Sequence, residues 1–192
     1  MDSFAGAPDP RGASRRASFT GLVVLLASTT MIFAAFASAF VVRRGMADDW
    51  TPGPHPPILF VNTAVLLLSS AALELARHAL RRGARTAFNA YWTAGTLLGL
   101  AFLGGQALAW RELTRGGYSI ASSAGSSFFY LLTAAHALHL VGGICALLYI
   151  DIHALRLRLG PGKRTAVAIS ALFWHFLDAL WICLLGMLLL WD

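Results

Sequence analysis

Charged residues along this chain gather in short clusters. Between them run five long apolar stretches, at 18–42, 57–80, 86–110, 123–150 and 165–191. A helix needs about 20 apolar residues to cross the hydrocarbon core of a bilayer, and each stretch meets that length. The pattern predicts an all-α fold, a polytopic bundle of five transmembrane helices spanning 18–192. Ahead of it, residues 1–17 carry Pro8, Pro10, Arg11, Arg15 and Arg16 and read as a polar basic tail, poorly ordered. Ala37-Ser38-Ala39 resembles a signal-peptidase site, but the run is long and Arg43-Arg44 ends it as a retained span ends. Pro56-Pro57 opens the second span, where the missing N–H of proline would be unpaired anyway.

The basic clusters give the topology. Arg11, Arg15, Arg16, then Arg77, Arg81, Arg82, Arg85, then Arg156, Arg158, Lys163 and Arg164 collect on one side. Arg43, Arg44, Arg111 and Arg115 lie on the other. Cytoplasmic loops carry the excess of Lys and Arg, so the N-terminus is expected in the cytoplasm and the C-terminus outside. The chain shows no internal repeat, which argues against a transporter built from inverted halves.

Composition agrees with the pattern. The 192 residues are 57% hydrophobic and 12% charged, with a mean hydropathy of +0.65. The net charge of +6 arises from residues flanking apolar runs, not from a basic strip interleaved with aromatics, which excludes nucleic acid as a partner. Cys145 and Cys183 lie inside apolar runs and read as packing residues.

Polar residues within the spans are few and expensive, so each one needs a reason. His136 and His139 stand at i and i+3 in the fourth span. His175 and Asp178 stand likewise in the fifth, inside Phe173-Trp-His-Phe-Leu-Asp-Ala-Leu-Trp181. There Trp174, Asp178 and Trp181 share one face that should point into protein. Counting helical rise from the basic ends, His139 and His175 fall at similar depth, about 15 Å, so the fourth and fifth spans should meet there. Such histidines could bind a metal or serve a proton relay, but no full ligand or catalytic set accompanies them. The structural reading, an interior polar network of His136, His139, His175, Asp178 and Glu74, is preferred. Asn62 and Gln106 read as helix–helix hydrogen bonds. Arg77, His78 and Arg81 can reach lipid headgroups. Gly95 and Gly99, in GxxxG spacing, and Gly142 with Gly143 should let helices approach closely.

Four motifs in order carry a resemblance. The stretch from Gly125 to Gly143, containing Thr-Ala-Ala-His-Ala-Leu-His, resembles the penultimate helix of subunit III of haem–copper cytochrome oxidases. Phe173 to Trp181 is similar to that family's last helix, with its Trp-His-Phe-Val-Asp-type string. Asn62-Thr-Ala-Val-Leu-Leu-Leu resembles its Asn-Thr-x-x-Leu-Leu stretch, and Gln106 falls where its middle helix ends in a Gln. The match covers about 18–191 and fits the family's five-helix form.

The resemblance implies a non-catalytic subunit III of a haem–copper terminal oxidase, of cytochrome c oxidase type, in aerobic respiratory electron transfer. It implies no catalytic residue and no cofactor or metal in this chain, with haem and copper in partner subunits. It implies packing on subunit I of a complex that also contains subunit II, bound phospholipid, and support of proton uptake and sustained turnover. A respiratory supercomplex is a wider possible assembly, and the location implied is the bacterial cytoplasmic membrane. One departure stands out: the family's buried Glu in the first of these helices is matched here by Thr29. The alternatives are subunit III of a quinol oxidase, the subunit-III-like protein of a nitric oxide reductase, and an independent haem- or metal-binding enzyme using the histidines. On the main reading, Asp178→Leu should loosen association with subunit I.

Overall fold

The computed structural model describes residues 10–46, 57–156 and 163–190. Within them the chain forms α1 (Pro10–Met46), α2 (Ile58–Arg81), α3 (Arg85–Arg115), α4 (Ala124–Leu155) and α5 (Lys163–Leu190), with no strand among the described residues. All five helices are long and apolar enough to cross a membrane. The chain is a multi-pass all-α membrane protein. Most of the proline-rich loop, with Asp48, Asp49 and Trp50, and the exit loop with Arg158 lie outside the described residues, as does Trp191.

The helices overrun the apolar stretches because a helix ends where its backbone is capped, not where its hydrophobicity ends. α1 already begins at Pro10, within the segment read as a tail. α3 continues through Arg111–Arg115, mostly good helix formers, and stops at Gly116-Gly117, where Gly117 takes φ +88°. The α2–α3 turn closes through Gly83 at φ +74°, with the Ala84 N–H donating to the Ala79 carbonyl at 3.0 Å. Glycine adopts that left-handed backbone without a Cβ penalty. α4 starts on Ser123, whose hydroxyl accepts from the Ser126 N–H at 3.1 Å.

The packing order is a closed ring of four helices, with α2 on α3, α3 on α4, α4 on α5 and α5 back on α2. α1 lies outside the ring, against α4 and α5 and touching neither α2 nor α3 among the described residues. It buries one stripe, Leu22, Thr29, Phe33 and Phe40, at seven- and four-residue spacing.

Two tryptophans of α5, both essentially fully buried, fill the ring in successive layers. Trp174 reaches toward α3 and α4, where Gly99 and Gly143 leave it room. A Cβ at Gly143 would lie 3.2 Å from its ring. Trp181 touches every other helix of the ring: its Nε1–H donates to Thr63 Oγ1 of α2 at 2.9 Å, Phe102 of α3 meets it edge-on at 5.2 Å, and His136 of α4 stacks on it at 5.1 Å.

Candidate functional site

The α2–α5 seam gathers the polar residues nearest the basic end of the bundle. Ser70, Glu74 and Arg77 recur at i, i+4 and i+7 and so share one face of α2. His175 of α5 bridges the first two: its Nδ1 lies 2.5 Å from Ser70 Oγ and its Nε2 3.6 Å from Glu74 Oε2. Arg77 Nη1 donates to the same Glu74 oxygen at 2.6 Å. The result is a polar string running from Arg77 to an interhelical hydroxyl–imidazole contact. Its physical work is to lock α2 and α5 in register, because apolar side chains gain little from each other over lipid and a hydrogen bond between helices is specific. Ser70→Ala is expected to lower thermal stability in mild detergent by about 1 kcal/mol, read from the melting of the purified protein. An unchanged melting curve would remove the string's structural role.

Asp178 belongs to the same helix but not to the string. It is buried, and neither carboxylate oxygen has a partner among the described residues. The Ser70 hydroxyl lies alongside, and its contact with His175 leaves it a second hydrogen-bonding capacity directed at Asp178. Asp178 therefore faces this chain's own interior and is not presented to another subunit, which corrects the expectation for Asp178→Leu. Leucine at 178 removes the burial cost of a carboxyl and leaves Ser70 its contact with His175, so that substitution should stabilise the bundle by about 1 kcal/mol while co-purifying subunits are retained. Thermal melting and a pull-down check the two halves, and loss of partners would restore the interface reading.

The two histidines of α4 diverge. His136 points into the ring, stacked on Trp181 and meeting Phe33 and Phe102 edge-on, with both nitrogens unpartnered among the described residues. His139, 60° round the helix, turns to α1, packs on Phe33 at 5.5 Å and donates Nδ1–H to the Ala135 carbonyl at 2.8 Å. No described contact joins this pair to His175 or Glu74. Where one interior network was expected, the described contacts place two separate groups on either side of α5, with Asp178 unpaired. α4 and α5 do meet at this depth, but through Gly143–Trp174 and His136–Trp181. Thr29 is buried on the α1 stripe, one turn before Phe33, with its hydroxyl unpartnered among the described residues.

The glycines also divide. A Cβ at Gly95 would lie 2.8 Å from the Leu73 side chain, and one at Gly99 2.7 Å from Trp174, so both mark close approaches. Gly105 is a further one, against Asn62, and sequence spacing did not single it out. Gly142 has nothing within 4 Å and packs no helix. Asn62 makes its interhelical bond, Nδ2–H to the Phe102 carbonyl at 3.0 Å, whereas buried Gln106 has no partner among the described residues. Asp151, just past the fourth apolar stretch, is buried and accepts from Thr93 at 2.7 Å across the α3–α4 seam. Cys145 and Cys183 are exposed on the bundle's outside.

At the basic end, Arg77 and Arg81 of α2 and Arg164 of α5 line a cleft of about 200 Å³ floored by Leu80, Val167 and Ala168. His78 is not in it, and its Nδ1–H returns to the Glu74 carbonyl of its own helix at 2.9 Å. Among the described residues no three His, Cys, Asp or Glu side chains are placed to hold a metal ion together.

Comparison with known proteins places these features. The family model for cytochrome c oxidase subunit III matches residues 13–192. A probable cytochrome c oxidase subunit 3 of Mycobacterium tuberculosis is 35% identical over 85% of this chain and 83% of its own length. The cytochrome c oxidase subunit 3 of Thermostichus vulcanus is 31% identical, covering 88% of this chain and 84% of its own. The subunit 3 of a cytochrome bo(3) ubiquinol oxidase from Pseudomonas aeruginosa is 32% identical over 77% of this chain and 74% of its own.

Proposed function

This chain belongs to the cytochrome c oxidase subunit III family and is a subunit III of a haem–copper oxidase complex, and from that premise we propose that it acts as a lipid-holding scaffold packed on subunit I. Haem and copper reside in subunits I and II, electrons come from cytochrome c rather than quinol, and the complex sits in the bacterial cytoplasmic membrane with the N-terminus inside. The observation that supports a scaffold is where the hallmark string spends its contacts. Trp174, His175 and Trp181 are used up on this chain's own α2, α3 and α4. That leaves the outward faces of α1 and the ring for neighbours and lipid, with residues such as Val23, Met31, Leu68 and Leu138 exposed there.

The arginine cleft fits the phosphate of an anionic phospholipid, its guanidiniums offering forked donors above an apolar floor for acyl chains. Held lipid would keep the proton-uptake side of subunit I in its working form over many turnovers.

Purification through a tag on this chain in mild detergent tests the reading. Expected are a large haem- and copper-bearing partner, a copper-bearing subunit II, tightly held phospholipid, and oxygen consumption driven by cytochrome c. A colourless chain without partners, or activity with quinol alone, would overturn it. Arg81→Gln with Arg164→Gln should shed the retained anionic lipid and shorten activity during turnover without altering the haem spectrum.

A further inference from the structure

Between α1 and the α4–α5 seam lies a second cavity, of about 370 Å³ and open on its outer side where Gly21 and Gly142 are exposed, lined also by Leu25 of α1, His139 of α4, and Ser170 and Phe173 of α5. Its size falls in the range of small-molecule sites, roughly 300–1,000 Å³. Two glycines on opposite walls keep it open. Neither Gly21 nor Gly142 has an atom within 4 Å of where a Cβ would stand. Glycine in a helix interior is costly, and here the cost gains no close helix contact. What the missing side chains leave is the cavity itself.

Its polar groups define the occupant. A carbonyl only accepts, so the bond to Ala135 fixes the proton of His139 on Nδ1. In the neutral ring, Nε2 then offers a lone pair on the side away from its own backbone. Ser170 offers a hydroxyl with no partner among the described residues. His139 lies about 15 Å below the basic end by helical rise, beneath headgroup level, where a charged phosphate would be costly in the hydrocarbon.

We propose that this cavity binds the un-ionised head and upper chain of a single long-chain fatty acid, its O–H donating to His139 Nε2 and its carbonyl accepting from Ser170. A carboxylic acid supplies the donor and the acceptor in one small uncharged group. The rest of the tail leaves along the exposed side of α1. This site is separate from the arginine cleft, which takes a charged head at the membrane surface.

The test uses the intact complex in its membrane with palmitic acid carrying a mid-chain diazirine. Photolabelling should fall on α1 and α4 peptides of this chain. Unlabelled palmitic acid should compete, methyl palmitate, which lacks the O–H, should compete about fivefold more weakly, and phosphatidylglycerol should not compete. Gly142→Leu should abolish the label, and His139→Phe should weaken it about fivefold, the worth of one hydrogen bond, with His139→Gln retaining most. Labelling that survives Gly142→Leu, or equal competition by the ester or the phospholipid, overturns the proposal. Should Gly142→Leu fail to assemble, judged by co-purification and the haem spectrum, Gly21→Leu closes the cavity from the other wall. The label is read on this chain's own peptides, so its failure leaves the subunit III reading standing.

Discussion

Gly99→Ala is expected to destabilise the bundle by about 2–3 kcal/mol, while Gly104→Ala on the same helix leaves it unchanged or slightly better. The added methyl at Gly99 would stand 2.7 Å from Trp174 Cη2 and 2.8 Å from Cζ2, distances no relaxed structure tolerates. The indole cannot simply retreat, because it is fully buried and α4 presses on it at Gly143. The ring of helices must therefore widen at that layer, and interiors packed as densely as crystals resist widening. Gly104 has nothing within 4 Å, so its methyl meets no other atom of this chain and adds helix propensity. Thermal melting of the purified complex in mild detergent reads both variants. If the two melt alike, the Trp174 layer is softer than the packing implies.

Trp181→Ala is expected to cost about 3–5 kcal/mol, enough to lose most of the assembled protein at growth temperature. The side chain is 1% exposed and touches all three other helices of the ring. Its removal opens a cavity in contact with Phe102 and His136, leaves the Thr63 hydroxyl only its own-helix carbonyl at Leu59, and strips His136 of its stacking partner. Trp181→Phe refills most of the volume and forfeits only the indole N–H bond, so it should cost about 1–2 kcal/mol. The ratio of the two effects, read from melting midpoints and from the amount of complex recovered, separates packing from hydrogen bonding. Equal losses would mean that the Thr63 bond, not the volume, holds this layer.

Both predictions rest on residues visible in the sequence whose partners were not. Trp174, Asp178 and Trp181 share a helical face by their spacing, and that face is buried as expected. The spacing could not say that Trp174 would seat against Gly99, because those residues belong to helices that meet only through side chains reaching across the ring. Ser70 went unnoticed for the same reason. A serine in an apolar helix is unremarkable until a histidine from another helix stands beside it. Asp151 follows the same logic, since a carboxylate just past an apolar stretch suggests solvent until Thr93 of α3 gives it a buried partner.

The number of helices, their apolar lengths and the family were legible in the one-dimensional pattern, because crossing a bilayer imposes a length and an absence of charge that sequence displays directly. Helix ends were less so, since capping at Gly83 and Gly117 decides them locally. The tertiary structure alone decided that α1 stands outside a ring formed by the other four. It likewise decided that His136 and His139 turn to different neighbours, and that Gly142 borders a cavity where Gly143 borders a tryptophan. Each of those outcomes depends on the rotation of one helix about its axis against another. A membrane helix that is apolar on every side carries almost no signal of its rotation, so only the fit of side chain into neighbouring groove can set it.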